Sequence, residues 1–152
     1  MKKAIYSCLF IASLIFLTHT PLIAQFSAGG GMNYDTDLKR LGFIAKLKYV
    51  FDDDMWAASP SYNIYPSDGL TVKIIDLDAH YHFATLFTND LIIYGLGGIG
   101  IVDVLDSTKI ALNGGVGTSI PTNGDLNIFA ELKFRVNKNT GTQINGGVLY
   151  EF

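Results

Sequence analysis

The chain has 152 residues, with eleven Lys and Arg against fourteen Asp and Glu. A formal charge of −3 at pH 7 and a single cysteine argue against a nucleic-acid partner and against a disulfide scaffold. Nearly half of the residues are hydrophobic, yet beyond residue 24 no apolar run reaches the ~20 residues that a membrane-spanning helix needs.

The chain opens on Met1-Lys2-Lys3, a short positive segment, followed by apolar residues from Ala4 to Leu17. A polar break at Thr18-His19-Thr20, then Pro21 and Leu22-Ile23-Ala24, complete the layout of a secretory signal peptide cut after Ala24. Its apolar run is too short for a spanning anchor. Cys8 lies inside it, so Gln25–Phe152 contains no cysteine. Without Lys2 and Lys3 that portion carries nine basic and fourteen acidic residues, a net charge of −5.

From Gln25 onward the chain alternates with period 2, the repeat of a strand with two unlike faces. Phe26–Tyr34 is a glycine-rich first strand. Leu41–Phe51 sets Leu41, Phe43, Ala45, Leu47, Tyr49 and Phe51 against Gly42, Ile44, Lys46, Lys48 and Val50. Trp56–Tyr65 carries Pro60, which removes a ladder donor and predicts a bulge or an irregular third strand. In Ile75–Phe83, the odd-numbered apolar residues oppose Asp76, Asp78, His80 and His82. Leu91–Val104 is apolar on both faces, so its register stays open. Ile110–Ile120 alternates again. Leu126–Asn137 is the clearest case: Leu126, Ile128, Ala130, Leu132, Phe134 and Val136 oppose a face bearing Glu131, Lys133 and Arg135. The last strand aligns Ile144, Gly146, Val148, Tyr150 and Phe152 against a face ending in Glu151. Connectors at 35–40, 52–54, 66–69, 84–90, 105–109, 121–125 and 138–141 are rich in turn formers. A short repeat links Leu112-Asn113-Gly114-Gly115-Val116-Gly117 to Ile144-Asn145-Gly146-Gly147-Val148-Leu149.

Eight amphipathic strands predict an all-β, eight-stranded antiparallel up-and-down barrel over residues 25–152. Its apolar faces are expected to look outward. They are uninterrupted over membrane-length stretches, whereas a charge on a lipid face costs ~2–4 kcal/mol at the midplane. Aromatics gather near the ends of those faces, as in interfacial girdles.

On these features the chain resembles the small bacterial outer-membrane β-barrel family, which includes OmpX-type proteins and the membrane domain of OmpA. The most family-like stretches are Tyr94–Gly100 and Gly114–Arg135. The terminal row Ile144, Val148, Tyr150 and Phe152 resembles the signal read by the outer-membrane assembly machinery. The resemblance implies a transmembrane barrel in the bacterial outer membrane. The implied partners are outer-membrane lipids, lipopolysaccharide among them, together with that machinery and periplasmic chaperones. The barrel is expected to be a monomer. Unlike OmpX-like relatives, this chain has short connectors on both sides.

The sharpest polar motif is Asp76-x-Asp78-x-His80-x-His82. Carboxylates and imidazoles serve as metal ligands and as acid–base groups. Same-face neighbours on a strand are ~6.6–7 Å apart, however, so one strand seldom wraps a metal. The column is expected to join a lumen network with Lys46, Lys48, Glu131, Lys133, Arg135 and Glu151, with no cofactor, metal or catalytic group. Asp52-Asp53-Asp54 lacks the spacing of a calcium loop. The expected function is a structural or interaction role without catalysis. Eight strands leave an interior just wide enough for side chains to fill, which disfavours a large pore. Two other readings are a secreted soluble barrel holding an apolar ligand and a lipid-modifying barrel enzyme.

Overall fold

The computed structural model describes residues 25–51, 54–67, 71–86, 91–104, 107–122, 124–136 and 140–152. The expected signal segment, residues 1–24, lies outside the described residues. Eight strands follow one another: β1 (Gln25–Asp35), β2 (Arg40–Val50), β3 (Trp56–Tyr65), β4 (Val72–Leu86), β5 (Leu91–Val104), β6 (Ser107–Pro121), β7 (Leu126–Val136) and β8 (Thr140–Glu151). Each pairs antiparallel with the next, and β1 pairs with β8 from Ser27↔Glu151 to Asp35↔Gln143, which closes the barrel. Closure leaves no unpaired sheet edge.

The strands run to 10–15 residues, so several are longer than the alternation alone marks. β4 runs from Val72 to Leu86 and β6 begins at Ser107, so residues 84–86 and 107–109 of two expected connectors pair as strand. Asp35, expected in a connector, is the last residue of β1 and faces Arg40 across the ladder. Its carboxylate turns the chain: Oδ1 accepts the backbone N–H of Asp37 and Leu38, both at 3.0 Å.

Pro60 does not bulge the third strand. The β3–β4 register runs unbroken through Pro60↔Leu77. On the other side the β2–β3 pairing lapses between Lys46↔Ser61 and Tyr49↔Ala58, then resumes without a shift. The missing proline donor opens the ladder locally, and the Ser59 hydroxyl donates to the Leu47 carbonyl at 3.0 Å across the gap. The register shift falls in β4 instead, between His82 and Ala84.

Side chains sort by parity. Large apolar residues face outward, including Leu41, Phe43, Leu77, Ile110, Leu112, Val136 and Ile144. Inward positions hold Lys46, Asp76, Asp78, Glu131, Lys133 and Arg135, all buried. Along the outward strand faces the charges among the described residues are Lys73 and Asp103, cross-strand partners near the connectors at 66–71 and 105–106. Strand β5 resolves its two apolar faces here: Tyr94 and Leu96 are buried inside, while Ile99 and Ile101 are exposed.

Candidate functional site: the barrel interior

The centre of the lumen is an ionic cluster supplied by β4 and β7 and framed by amides from β1, β3, β6 and β8. Lys133 Nζ lies 2.6 Å from Asp78 Oδ2 and 3.2 Å from Asp76 Oδ2. Arg135 Nη2 donates to Asp76 Oδ2 at 3.0 Å and to Gln143 Oε1 at 2.7 Å, and its Nη1 reaches Asp35 Oδ2 at 3.4 Å. Asn63 Nδ2 donates to Asp76 at 3.0 Å, and Asn113 Nδ2 donates to Asp76 and Asp78 at 2.9 and 3.0 Å. Asp76 thus accepts from two cations and two amides while wholly buried. A buried carboxylate is tolerated only when its lone pairs are taken up in this way.

A second centre forms around Glu131. It pairs with Lys46 and accepts the Tyr94 hydroxyl at 2.8 Å and Asn145 Nδ2 at 3.1 Å. The Lys46 ammonium also sits 4.9 Å from the Phe129 ring centroid. His80 stacks on Tyr94, with centroids 4.5 Å apart and an interplanar angle of 10°. Its Nε2 lies 3.8 Å from Glu131 Oε1, beyond hydrogen-bond length.

Strand β5 makes room for these groups. Gly98 and Gly100 face Asp78 and Asp76 across the ladder, and a Cβ on Gly100 would come within 2.5 Å of Asp76 Oδ1. Gly117 of β6 plays the same part for the Tyr94 ring, 2.5–2.7 Å from where its Cβ would stand.

The two ends of the lumen differ. Toward the connectors at 66–71 and 105–106, Tyr65, Val72 and Ile74 pack into an apolar plug with Leu38 and Val102 against it. At the opposite mouth, where β1 starts and β8 ends, a cavity of about 410 Å³ opens beneath the ionic centre. Lys48, His82 and Glu151 line it. The expected network therefore divides. Asp76, Asp78, Glu131, Lys46, Lys133 and Arg135 meet in direct contact, with His80 against the Glu131 centre. Lys48 forms no ion pair or hydrogen bond among the described residues and lies 5.8 Å from the Tyr94 centroid. His82 Nδ1 meets the Asp54 carbonyl at 2.8 Å, and Glu151 accepts from Asn127 at 3.0 Å.

Several partners go beyond the sequence-derived set: Asp35, Asn63, Tyr94, Asn113, Gln143 and Asn145. Two signals could have found some of them. Extending the β1 alternation by one residue puts Asp35 on the face of Ser27 and Asn33. The short repeat places Asn113 and Asn145 alike, each inward, each bonded to a carboxylate and each followed two residues on by an inward glycine.

The buried lumen charges balance: Lys46, Lys48, Lys133 and Arg135 against Asp35, Asp76, Asp78 and Glu131. Among the described residues, no three His, Asp or Glu side chains converge as a metal site. The pattern is one of mutual neutralisation, with the carboxylates of both centres held by cations and amides.

Such a chain belongs to the class of closed eight-stranded up-and-down barrels with an apolar exterior and an ion-paired interior. Solved structures of this kind are similar to it. The N-terminal β-barrel domain of Pseudomonas aeruginosa OprF matches with a TM-score of 0.68 at 20% identity, over 85% of this chain and 99% of that one. The attachment invasion locus protein Ail of Yersinia pestis, solved with the heparin analogue sucrose octasulfate, matches with a TM-score of 0.60 at 18% identity, over 85% and 97%. The outer-membrane enzyme PagL matches with a TM-score of 0.55 at 11% identity, over 81% and 97%. No protein-family model matches the sequence, and no curated protein matches it. At these identities the likeness is one of fold, and it is the fold that the resemblance to small outer-membrane barrels implies.

Proposed function

We propose that the protein is an integral barrel of the bacterial outer membrane with a structural or interaction role and no catalysis. The observation that carries this reading is the inverted distribution of polarity. Large apolar side chains cover the outside while paired charges fill the inside, which is favourable in lipid and unfavourable in water. The dimensions agree. From Lys73 to Phe83, β4 takes ten residue steps; at ~3.3 Å per step and a tilt of about 40°, they span roughly 25 Å, the height of a transmembrane barrel's apolar band. Aromatic residues mark one border: Phe26, Phe51, Trp56, Phe83, Tyr150 and Phe152 are exposed near the mouth where β1 starts and β8 ends. That mouth is assigned to the periplasm, and the connectors at 36–39, 66–71, 105–106 and 137–139 to the cell exterior.

In this reading residues 1–24 form the cleaved export signal, and Ile144, Val148, Tyr150 and Phe152 form the row that the assembly machinery reads. Outer-membrane lipids, including lipopolysaccharide, then surround a monomer. A soluble barrel with an apolar ligand is disfavoured by the ionic lumen. A lipid-modifying enzyme would need its base toward the lipid. His80 is buried inside the barrel, and His82 lines the mouth cavity.

The test is fractionation with semi-native electrophoresis. The expected result is recovery in outer membranes and a change in migration on boiling. Recovery in the soluble fraction without detergent overturns the proposal.

A further inference from the structure

The charges of the central lumen are paired in direct contact, whereas the mouth below holds one that is not. Lys48, on β2, is the buried cation that no carboxylate meets among the described residues. It lines the cavity of about 410 Å³ together with the hydroxyls of Ser27 and Ser119 and the amide of Asn127. This volume is within the range of small-molecule sites. A plain anion fits the cavity poorly. Glu151, which accepts from Asn127 at 3.0 Å, also lines it, as do Asp54 and His82. The lining therefore carries the Lys48 ammonium and the Glu151 carboxylate, with the His82 imidazole and Asp54 beside them. Val50, Ile92 and Pro121 supply an apolar side to the same space.

We propose that this mouth cavity is a binding site for a small zwitterion with an apolar side chain, a free amino acid or short peptide. Its carboxylate sits on Lys48 and the Ser27 and Ser119 hydroxyls. Its ammonium sits on Glu151, and its side chain lies against Val50, Ile92 and Pro121. A charged ligand completes the pairing that the fold leaves open, because a buried ammonium gains most from a partner that excludes water. The cavity follows from the barrel's geometry. That it faces the periplasm rests on the orientation proposed above.

The experiment is an NMR titration of the full mature barrel in lipid nanodiscs, following backbone amides. The probe is L-leucine. It is compared with 4-methylpentanoate, which lacks the ammonium, and 3-methylbutylamine, which lacks the carboxylate. Saturable shifts are expected at Ser27, Ser119 and Asn127, with at least tenfold weaker binding of both half-ligands. Lys48→Met should abolish leucine binding. Glu151→Gln should weaken leucine several-fold and tighten 4-methylpentanoate, so the proposal stays testable if the Lys48 variant folds poorly. Absence of saturable shifts overturns the site, as does leucine binding that survives both variants. Equal affinity for leucine and 4-methylpentanoate overturns the zwitterion assignment. None of these outcomes depends on which compartment the mouth faces, so failure here is distinguishable from failure of the fractionation test.

Discussion

Lys133 and Lys48 both point into the lumen from neighbouring levels of one barrel, and they are treated differently. Lys133 is wedged between two aspartates at 2.6 and 3.2 Å. Lys48 looks into an open cavity, with the Tyr94 ring centroid 5.8 Å away. The first is an internal cross-link between β4 and β7 at the middle of the barrel, where a lone charge would be prohibitive. The second stands near the mouth, where solvent or a ligand can meet it. The same residue type thus marks cohesion at one depth and binding capacity at another.

Variants can break that contrast or sharpen it. The largest loss is expected from Lys133→Ala, which leaves Asp76 and Asp78 facing each other without their shared cation and should cost about 3–5 kcal/mol. Urea unfolding in lipid vesicles, followed by the fluorescence of Trp56, the chain's one tryptophan, would read it. Next comes Leu77→Arg, which places a charge on the outer face of β4. A loss of about 2–4 kcal/mol is expected in vesicles, and an unchanged midpoint would remove the membrane reading of that face. Gly100→Val then crowds Asp76 from the opposite strand and should cost about 1–3 kcal/mol, with a lowered temperature of the gel-migration change. The smallest effect is expected from Lys48→Met, no more than about 1 kcal/mol, since it has only a distant ring to lose. A Lys48 variant as unstable as the Lys133 variant would erase the distinction between the two depths.

What could be read from the sequence followed the strength of local alternation. β7 was legible because its apolar and charged residues segregate over eleven positions, and that segregation also identified Glu131, Lys133 and Arg135 as interior. β5 was not, because its interior residues are Ile92, Tyr94, Leu96, Val102 and glycines, none of them charged. Their chemistry depends on what stands across the lumen, and a strand's own sequence does not contain that. Pro60 does remove a ladder donor, and the β2–β3 pairing lapses beside it. Of the two expected consequences the irregular pairing occurs and the bulge does not, because a barrel strand held on its other side by Leu77 and its neighbours can spare a few hydrogen bonds without slipping register. The pairing of Asp76 with Lys133 and Arg135 spans 57 and 59 residues. Only closure of the sheet brings such partners together, so the sequence could nominate the members of the network without assigning who meets whom. The exclusion of Lys48 from it was illegible for the same reason.

The apolar plug of Tyr65, Val72 and Ile74 gives the barrel an electrical character. Ions entering from the mouth below can approach the paired charges, but the packed side chains of Tyr65, Val72 and Ile74 above offer them no hydration. In the proposed orientation, the lumen behaves as a blind well insulated at its far end. A voltage applied across a bilayer would fall mainly over that thin layer, and planar-bilayer recordings should show almost no current until the layer is made polar, for instance by Ile74→Asp.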